Sequence, residues 1–131
     1  MLKGFRTVSL SNQRKRMELL WPGLVCKRHG SELVWTGPLK PSPSSTEYVI
    51  EVSYSVERRP EVRVLSPSLI DPPKLSDVHR YKDGTLCLHL RGEWNPTLFV
   101  AEKIISWVSE WLVFYEGWLV TGEWLGGGEH P

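Results

Sequence analysis

The stretch from residue 97 to residue 115 constrains the fold most. Ala101, Ile104, Val108, Trp111, Leu112 and Tyr115 recur there at i, i+3 and i+4 spacing, which is the signature of a helix with a buried stripe. Pro96 suits a helical first turn, and Asn95 or Thr97 offers an N-cap side chain. A long helix over 97–115 is therefore predicted. Trp107, Phe114 and Trp118 fall off the stripe, so more than one face is apolar. Such a helix is covered on several sides or offers a binding face, and core packing is the preferred explanation. The whole chain, 131 residues, has the length of one domain with one real core.

Upstream the pattern is different. Residues 9–20 read as an amphipathic helix, with Ser9 or Ser11 as N-cap and Leu10, Met17 and Leu20 roughly on one face. Trp21-Pro22-Gly23 ends it, because proline restricts the residue before it. Residues 24–27 and 33–36 are short strand-type runs separated by the turn Arg28-His29-Gly30-Ser31, and 37–45 reads as a loop. Residues 48–54 alternate with period two, placing Tyr48, Ile50, Val52 and Tyr54 on one face. Arg58-Arg59-Pro60 is expected to break that run, and Val62-Arg63-Val64 to form a fourth strand. A helix followed by a four-stranded antiparallel meander is an α+β opening.

Residues 66–96 contain Pro67, Pro72, Pro73 and Pro96 and show no clear period. Loops of that length in a compact domain are usually functional or disordered. Cys87 lies within this one, after Asp83-Gly84 and between Leu86 and Leu88. The apolar neighbours imply a packed loop. The other cysteine, Cys26, sits in a strand pattern, and the pair has no metal-ligand spacing.

Composition excludes several classes. No run approaches the roughly 18 apolar residues that span a bilayer, and Met1 to Arg6 lacks the features of a signal peptide. A cytoplasmic location with reduced thiols is the default expectation. Charge is uneven: eleven Lys and Arg against six Asp and Glu in residues 1–65, and five against nine in 66–131. The basic half is read as solvated surface. Arg14-Lys15-Arg16 is too short to argue for nucleic acid. No cofactor or metal is called for, and Gly126-Gly127-Gly128 is not a phosphate loop, since no Lys-Ser/Thr follows.

A thiolate is both a nucleophile and a good leaving group, so a loop cysteine with open approach suits acyl transfer. A single cysteine among apolar residues is equally the description of an inert space-filler. The order of the surrounding motifs carries more. Tyr81-Lys82-Asp83-Gly84-Thr85-Leu86-Cys87-Leu88 resembles the Asp-Gly-x-Ile-Cys-Leu segment of ubiquitin-conjugating enzymes. Pro60-Glu61-Val62-Arg63-Val64 is similar to their Pro-x-Val-x-Phe strand, and Trp94-Asn95-Pro96 to the Trp-x-Pro before their central helix. Tyr115-Glu116-Gly117-Trp118 and the ending Thr121-Gly122-Glu123-Trp124-Leu125-Gly126-Gly127-Gly128-Glu129-His130-Pro131 resemble the ubiquitin-conjugating-like proteins of bacterial CBASS antiphage operons, in stand-alone form.

The resemblance implies a compact ubiquitin-conjugating fold over residues 1–131: N-terminal helix, four-stranded antiparallel meander, cysteine loop, long central helix and a shortened Gly-rich C-terminus. It implies that Cys87 is the catalytic nucleophile and thioester carrier. The implied partner is a cGAS-like nucleotidyltransferase, whose C-terminal glycine joins the cysteine and whose ligation to a target primes it for defence. No fused activating domain is expected, so the chain receives its acyl group from a separate activating enzyme or works without one. The family's His-Pro-Asn triplet is replaced. Ungapped alignment from Cys87 puts His79 at the Asn register, as oxyanion donor, as base, or as a surface histidine without that role. The tail either folds back near Cys87, with His130 as a second polar group, or frays. Trp21, Trp35 and Trp94 are assigned to packing. A non-catalytic binding module that docks on the nucleotidyltransferase is the alternative function.

Overall fold

The computed structural model describes residues 6–88 and 93–126. The order is α1 (Leu10–Leu20), β1 (Val25–His29), β2 (Glu32–Leu39), β3 (Tyr48–Ser55), β4 (Arg58–Ser66), a 3-10 turn (Leu75–Val78) and α2 (Val100–Thr121). The strands form one antiparallel sheet in the order β1-β2-β3-β4. The architecture is α+β, with two α-helices and a four-stranded sheet.

Alternation in β3 is as read: Tyr48, Ile50, Val52 and Tyr54 are all buried. They meet Leu33 and Trp35 of β2, Val62 of β4, and the α2 stripe of Ala101, Ile104, Val108, Trp111, Leu112 and Tyr115 in one core. Gly30, at φ 62°, makes the β1–β2 turn.

The strands run further than the sequence suggested. Gly37, Pro38 and Leu39 belong to β2, not to the loop after it. β1 pairs with β2 only as far as Thr36, so Pro38, which lacks an N–H, sits beyond β1 where no donor is needed on that side. Gly37 is there for close approach, since a Cβ would lie 2.5 Å from the Gly23 carbonyl oxygen. Arg58-Arg59-Pro60 does not break the sheet either. The turn falls at Val56-Glu57, and Pro60 lies in β4, at an edge and at a register shift between Ser53 and Ser55, the positions that tolerate a proline.

Ser9 caps α1, its Oγ accepting from the Asn12 amide at 3.1 Å, and the helix ends at Trp21. Leu20 is exposed rather than facing the core; Gln13 and Met17 are the buried residues of α1. Gln13 explains a second difference. α2 begins at Val100 and runs to Thr121 rather than over 97–115. Asn95 Oδ1 accepts from the Thr97 amide at 2.9 Å and from the Thr97 hydroxyl, closing a local turn before the helix. The side chain that serves the start of α2 is Gln13: its Oε1 accepts from the Val100 amide at 2.9 Å and its Nε2 donates to the Leu98 carbonyl at 2.8 Å. Trp21 Nε1 donates to the Ala101 carbonyl at 2.9 Å, and Arg16 pairs with Glu102 at 2.9 Å. The two helices are thus joined by polar anchors.

The Tyr115-Glu116-Gly117-Trp118 motif ties loops to α2. Tyr115 Oη accepts from the Ile70 amide at 2.9 Å. Glu116 accepts from Ser45 Oγ at 2.8 Å and Tyr48 Oη at 2.9 Å; burial first, then this bond, pushes the Tyr48 phenol well above its ordinary range. Trp118 packs on Tyr115. Among the described residues no helix is long and apolar enough to cross a membrane.

Candidate functional site

The cysteine segment is a small hairpin hung on β4. Arg80 pairs with Leu86 in an antiparallel bridge. Inside it the Tyr81 amide donates to the Thr85 carbonyl and the Gly84 amide to the Tyr81 carbonyl, each at 2.9 Å. Gly84 adopts φ 90°, which favours glycine. Asp83 Oδ1 accepts from the Thr85 amide at 2.9 Å and the Thr85 hydroxyl at 2.7 Å. The Thr85 hydroxyl first, then its amide, hold the Asp83 carboxyl below the usual carboxylate range. Arg63 donates to the Asp83 carbonyl. The Leu86 amide donates to the Val62 carbonyl at 2.9 Å, so β4 fixes the cysteine's neighbour.

The loop between β4 and α2 is packed, as its apolar residues implied. Leu86 and Cys87 are 5% and 6% exposed. The Cys87 amide donates to the His79 carbonyl at 2.8 Å, and Trp111 Nε1 donates to the same oxygen at 3.1 Å. His79 is left-handed, at φ 51° and ψ 54°. Its main chain therefore joins the cysteine to α2. Its imidazole lies against the Trp124 ring, 5.6 Å between centroids.

Trp124 belongs to the segment after α2. Gly122, at φ 77°, caps the helix and turns the chain back, so that Trp124 packs on His79, Trp111 and Phe114. Gly126 lies against the Phe114 ring, where a Cβ would come within 2.4 Å of it. Of the residues off the α2 stripe, Phe114 is thus covered by the segment after the helix, while Trp107 and Trp118 pack against the core. The tail does fold back toward the cysteine loop as far as Gly126; Gly127, Gly128 and His130 lie outside the described residues.

Two residues that sequence reasoning missed complete the surroundings of Cys87. The Tyr81 phenol is close enough to the Cys87 thiol to feel its charge, and Arg59 Nη2 donates to Tyr81 Oη at 3.1 Å. The Arg59 guanidinium also lies over the Tyr81 ring, 5.5 Å from its centroid. Burial leads in pushing the Tyr81 phenol up, the neighbouring Cys87 thiol adds to it, and Arg59 opposes it. Asp83-Gly84 announced a hairpin, and hairpin geometry brings Tyr81 back toward Cys87. Arg59 carried no sequence signal. A groove of about 480 Å³ opens here, lined by Arg59, Pro60, Glu61, Tyr81, Lys82, Asp83, Thr85, Leu86 and Leu88. Cys26 is remote in kind, half-buried in β1, its thiol pushed up chiefly by burial. Trp21, Trp35 and Trp94 all pack on the core, Trp94 meeting Tyr54 edge to face.

This arrangement suits a thiol nucleophile: a hydrogen-bonded main-chain frame around Cys87 and a groove lined by its two neighbours, Leu86 and Leu88. The chain matches the family model described as Type II CBASS E2 protein over residues 13–131. No curated protein matches it by sequence.

Proposed function

The chain belongs to the type II CBASS E2 family, and from that premise we propose that it is a ubiquitin-conjugating-like acyl transferase whose nucleophile is Cys87. Its role in CBASS is E2-like. The four-stranded antiparallel sheet and two helices support the ubiquitin-conjugating fold. The acyl donor in this reading is the C-terminal glycine of a cGAS-like nucleotidyltransferase, delivered by a separate activating enzyme or reached without one. The Cys87 thiolate attacks the glycine carbonyl carbon. The tetrahedral oxyanion collapses, the activating group leaves with its electron pair, and a thioester remains. A target amine then attacks the same carbon, the C–S bond breaks, and an amide forms. His79, at the register of the family's Asn, is assigned to oxyanion support or proton transfer. The groove along Tyr81, Leu86 and Leu88 suits a narrow, extended C-terminus ending in glycine.

The observation that carries this reading is the Gly84 hairpin, which ties the Cys87 segment to β4 and α2 and whose residues on either side of Cys87, Leu86 and Leu88, line that groove. In cells carrying the operon, Cys87→Ala abolishes phage protection and Cys26→Ala leaves it intact; the reverse pattern overturns the assignment. The low exposure of Cys87, 6%, favours a second reading, a non-catalytic module that docks on the nucleotidyltransferase. In that case Cys87→Ala protects as well as the parent and the two proteins copurify regardless of it.

A further inference from the structure

The hairpin that carries Cys87 also carries a primary amine. Lys82 stands in its turn, which the Tyr81–Thr85 and Gly84–Tyr81 main-chain bonds close. Among the described residues it is the lysine that lines the groove, together with Leu86 and Leu88 on either side of Cys87. Lys82 is exposed, and among the described residues it has no ion-pair or hydrogen-bond partner. The charged groups beside it are occupied: Asp83 Oδ1 holds the Thr85 amide and hydroxyl, and Arg59 holds Tyr81. Strand geometry sets the separation. The Cys87 amide pairs with the His79 carbonyl, and Lys82 lies three residues along the hairpin from His79, roughly 10 Å at the rise of a β-strand. A lysine side chain and a cysteine thioester, extended toward each other, bridge that distance. Tyr81, the residue next to Lys82, is already close enough to feel the charge of the Cys87 thiol.

We propose that Lys82 is an acyl-acceptor site: its amine takes the acyl group from Cys87 of the same chain, leaving Lys82 modified through an amide and Cys87 free. The inference rests on the acyl-transfer reading above and names an acceptor for that site. Lys82 Nζ gives one proton to solvent and adds to the thioester carbonyl carbon. The C–N bond forms, the C–S bond breaks, and the electron pair stays on sulfur as thiolate. The nitrogen then loses a second proton to solvent, and nothing is oxidised or reduced. An amine fixed in the same hairpin acts at high effective concentration, so it competes with amines from solution. The thioester forms first and is what a thiol reductant releases. The amide forms from it more slowly, because Lys82 must shed a proton before it attacks, and reductant does not release it.

The test uses the purified protein in the Cys26→Ser background, pulsed with p-nitrophenyl acetate, freed of the reagent and left to stand. Peptide mass spectrometry locates the acetyl group over time. The expected result is acetyl on Cys87 first, then its transfer to Lys82, at a rate that does not change when the protein is diluted tenfold. Lys82→Arg keeps the charge and removes the acceptor; it slows loss of the Cys87 thioester about fivefold or more, whereas Lys103→Arg, on α2, does not. Cys87→Ala leaves Lys82 without acetyl. The inference is overturned by Lys82 acetylation that persists in Cys87→Ala, by transfer that slows on dilution, or by a thioester that decays equally fast in Lys82→Arg. If Cys87→Ala melts early, Lys82→Arg, at an exposed turn and with the cysteine intact, carries the test. Acetyl that leaves Cys87 with Lys82 unmodified overturns this inference and leaves the acyl-transfer reading standing. A Cys87 that the probe never acetylates overturns both.

Discussion

Gln13 is a polar side chain with no exposed surface, and its position decides where α2 begins. A helix start leaves amides without intrahelical partners. Here a side chain from another helix accepts from the Val100 amide and donates to the Leu98 carbonyl. Gln13→Ala strips a buried donor and a buried acceptor of their partners, at about 3 kcal/mol in total, measurable as a lowered urea midpoint at unchanged slope. A loss below about 0.5 kcal/mol would mean that α2 starts without this cap. Gln13 also shows why part of the fold was illegible. Local rules nominated Asn95 and Thr97, which lie next to the helix in sequence, whereas the group that acts comes from more than 80 residues upstream. Leu20 failed for the related reason that a helical stripe names a face but not what stands opposite it. Cys87 was legible because its setting is a local sequence order, Asp-Gly then an apolar-flanked thiol. Tyr81 and Arg59 were not, because their pairing depends on how the hairpin docks on β4.

At the scale of elements, the segment after α2 acts as a strap. Trp118, Trp124 and Phe114 lie along one side of the helix, with Trp124 reaching His79. The apolar positions off the α2 stripe, Trp107, Phe114 and Trp118, posed a choice between covering and binding, and none of the chain's seven tryptophans is exposed. The chain covers that face itself. Trp124→Ala should cost about 2 kcal/mol in thermal or chemical unfolding, a half-buried version of an aromatic truncation. It should also slow acylation of Cys87, because His79 loses the ring that braces it. Val120→Ala, at a position 86% exposed, should do neither. If Trp124→Ala destabilises the protein but leaves acylation unchanged, the strap is structural only. The β2 and β4 extensions were hidden by prolines and glycines that read as breakers. Pro38, Pro60 and Gly37 are tolerated because each sits where the sheet lacks a neighbour, shifts register or is approached closely by backbone.

For the whole molecule, the sequence order of helix, strands, cysteine hairpin and helix translates into one sheet with α2 packed on the core and the cysteine loop clamped between β4 and α2. Periodicity made the helices and β3 readable. The loop over 66–96 was irregular in sequence because contacts run to other elements: Leu86 to Val62, His79 to Trp111, Ile70 to Tyr115. Among the described residues one ion pair, Arg16 with Glu102, joins the basic half to the acidic half. The central claim is that Cys87 carries the partner's C-terminus as a thioester. Its most direct measurement is intact mass, with a parallel non-reducing gel, after co-expression with the cGAS-like nucleotidyltransferase proposed as its partner. The account predicts an adduct at the summed mass less one water, abolished by thiol reductant, by Cys87→Ala and by deletion of the partner's last glycine. With a candidate activating enzyme and ATP also supplied, copurification of the two proteins without any such adduct would contradict it.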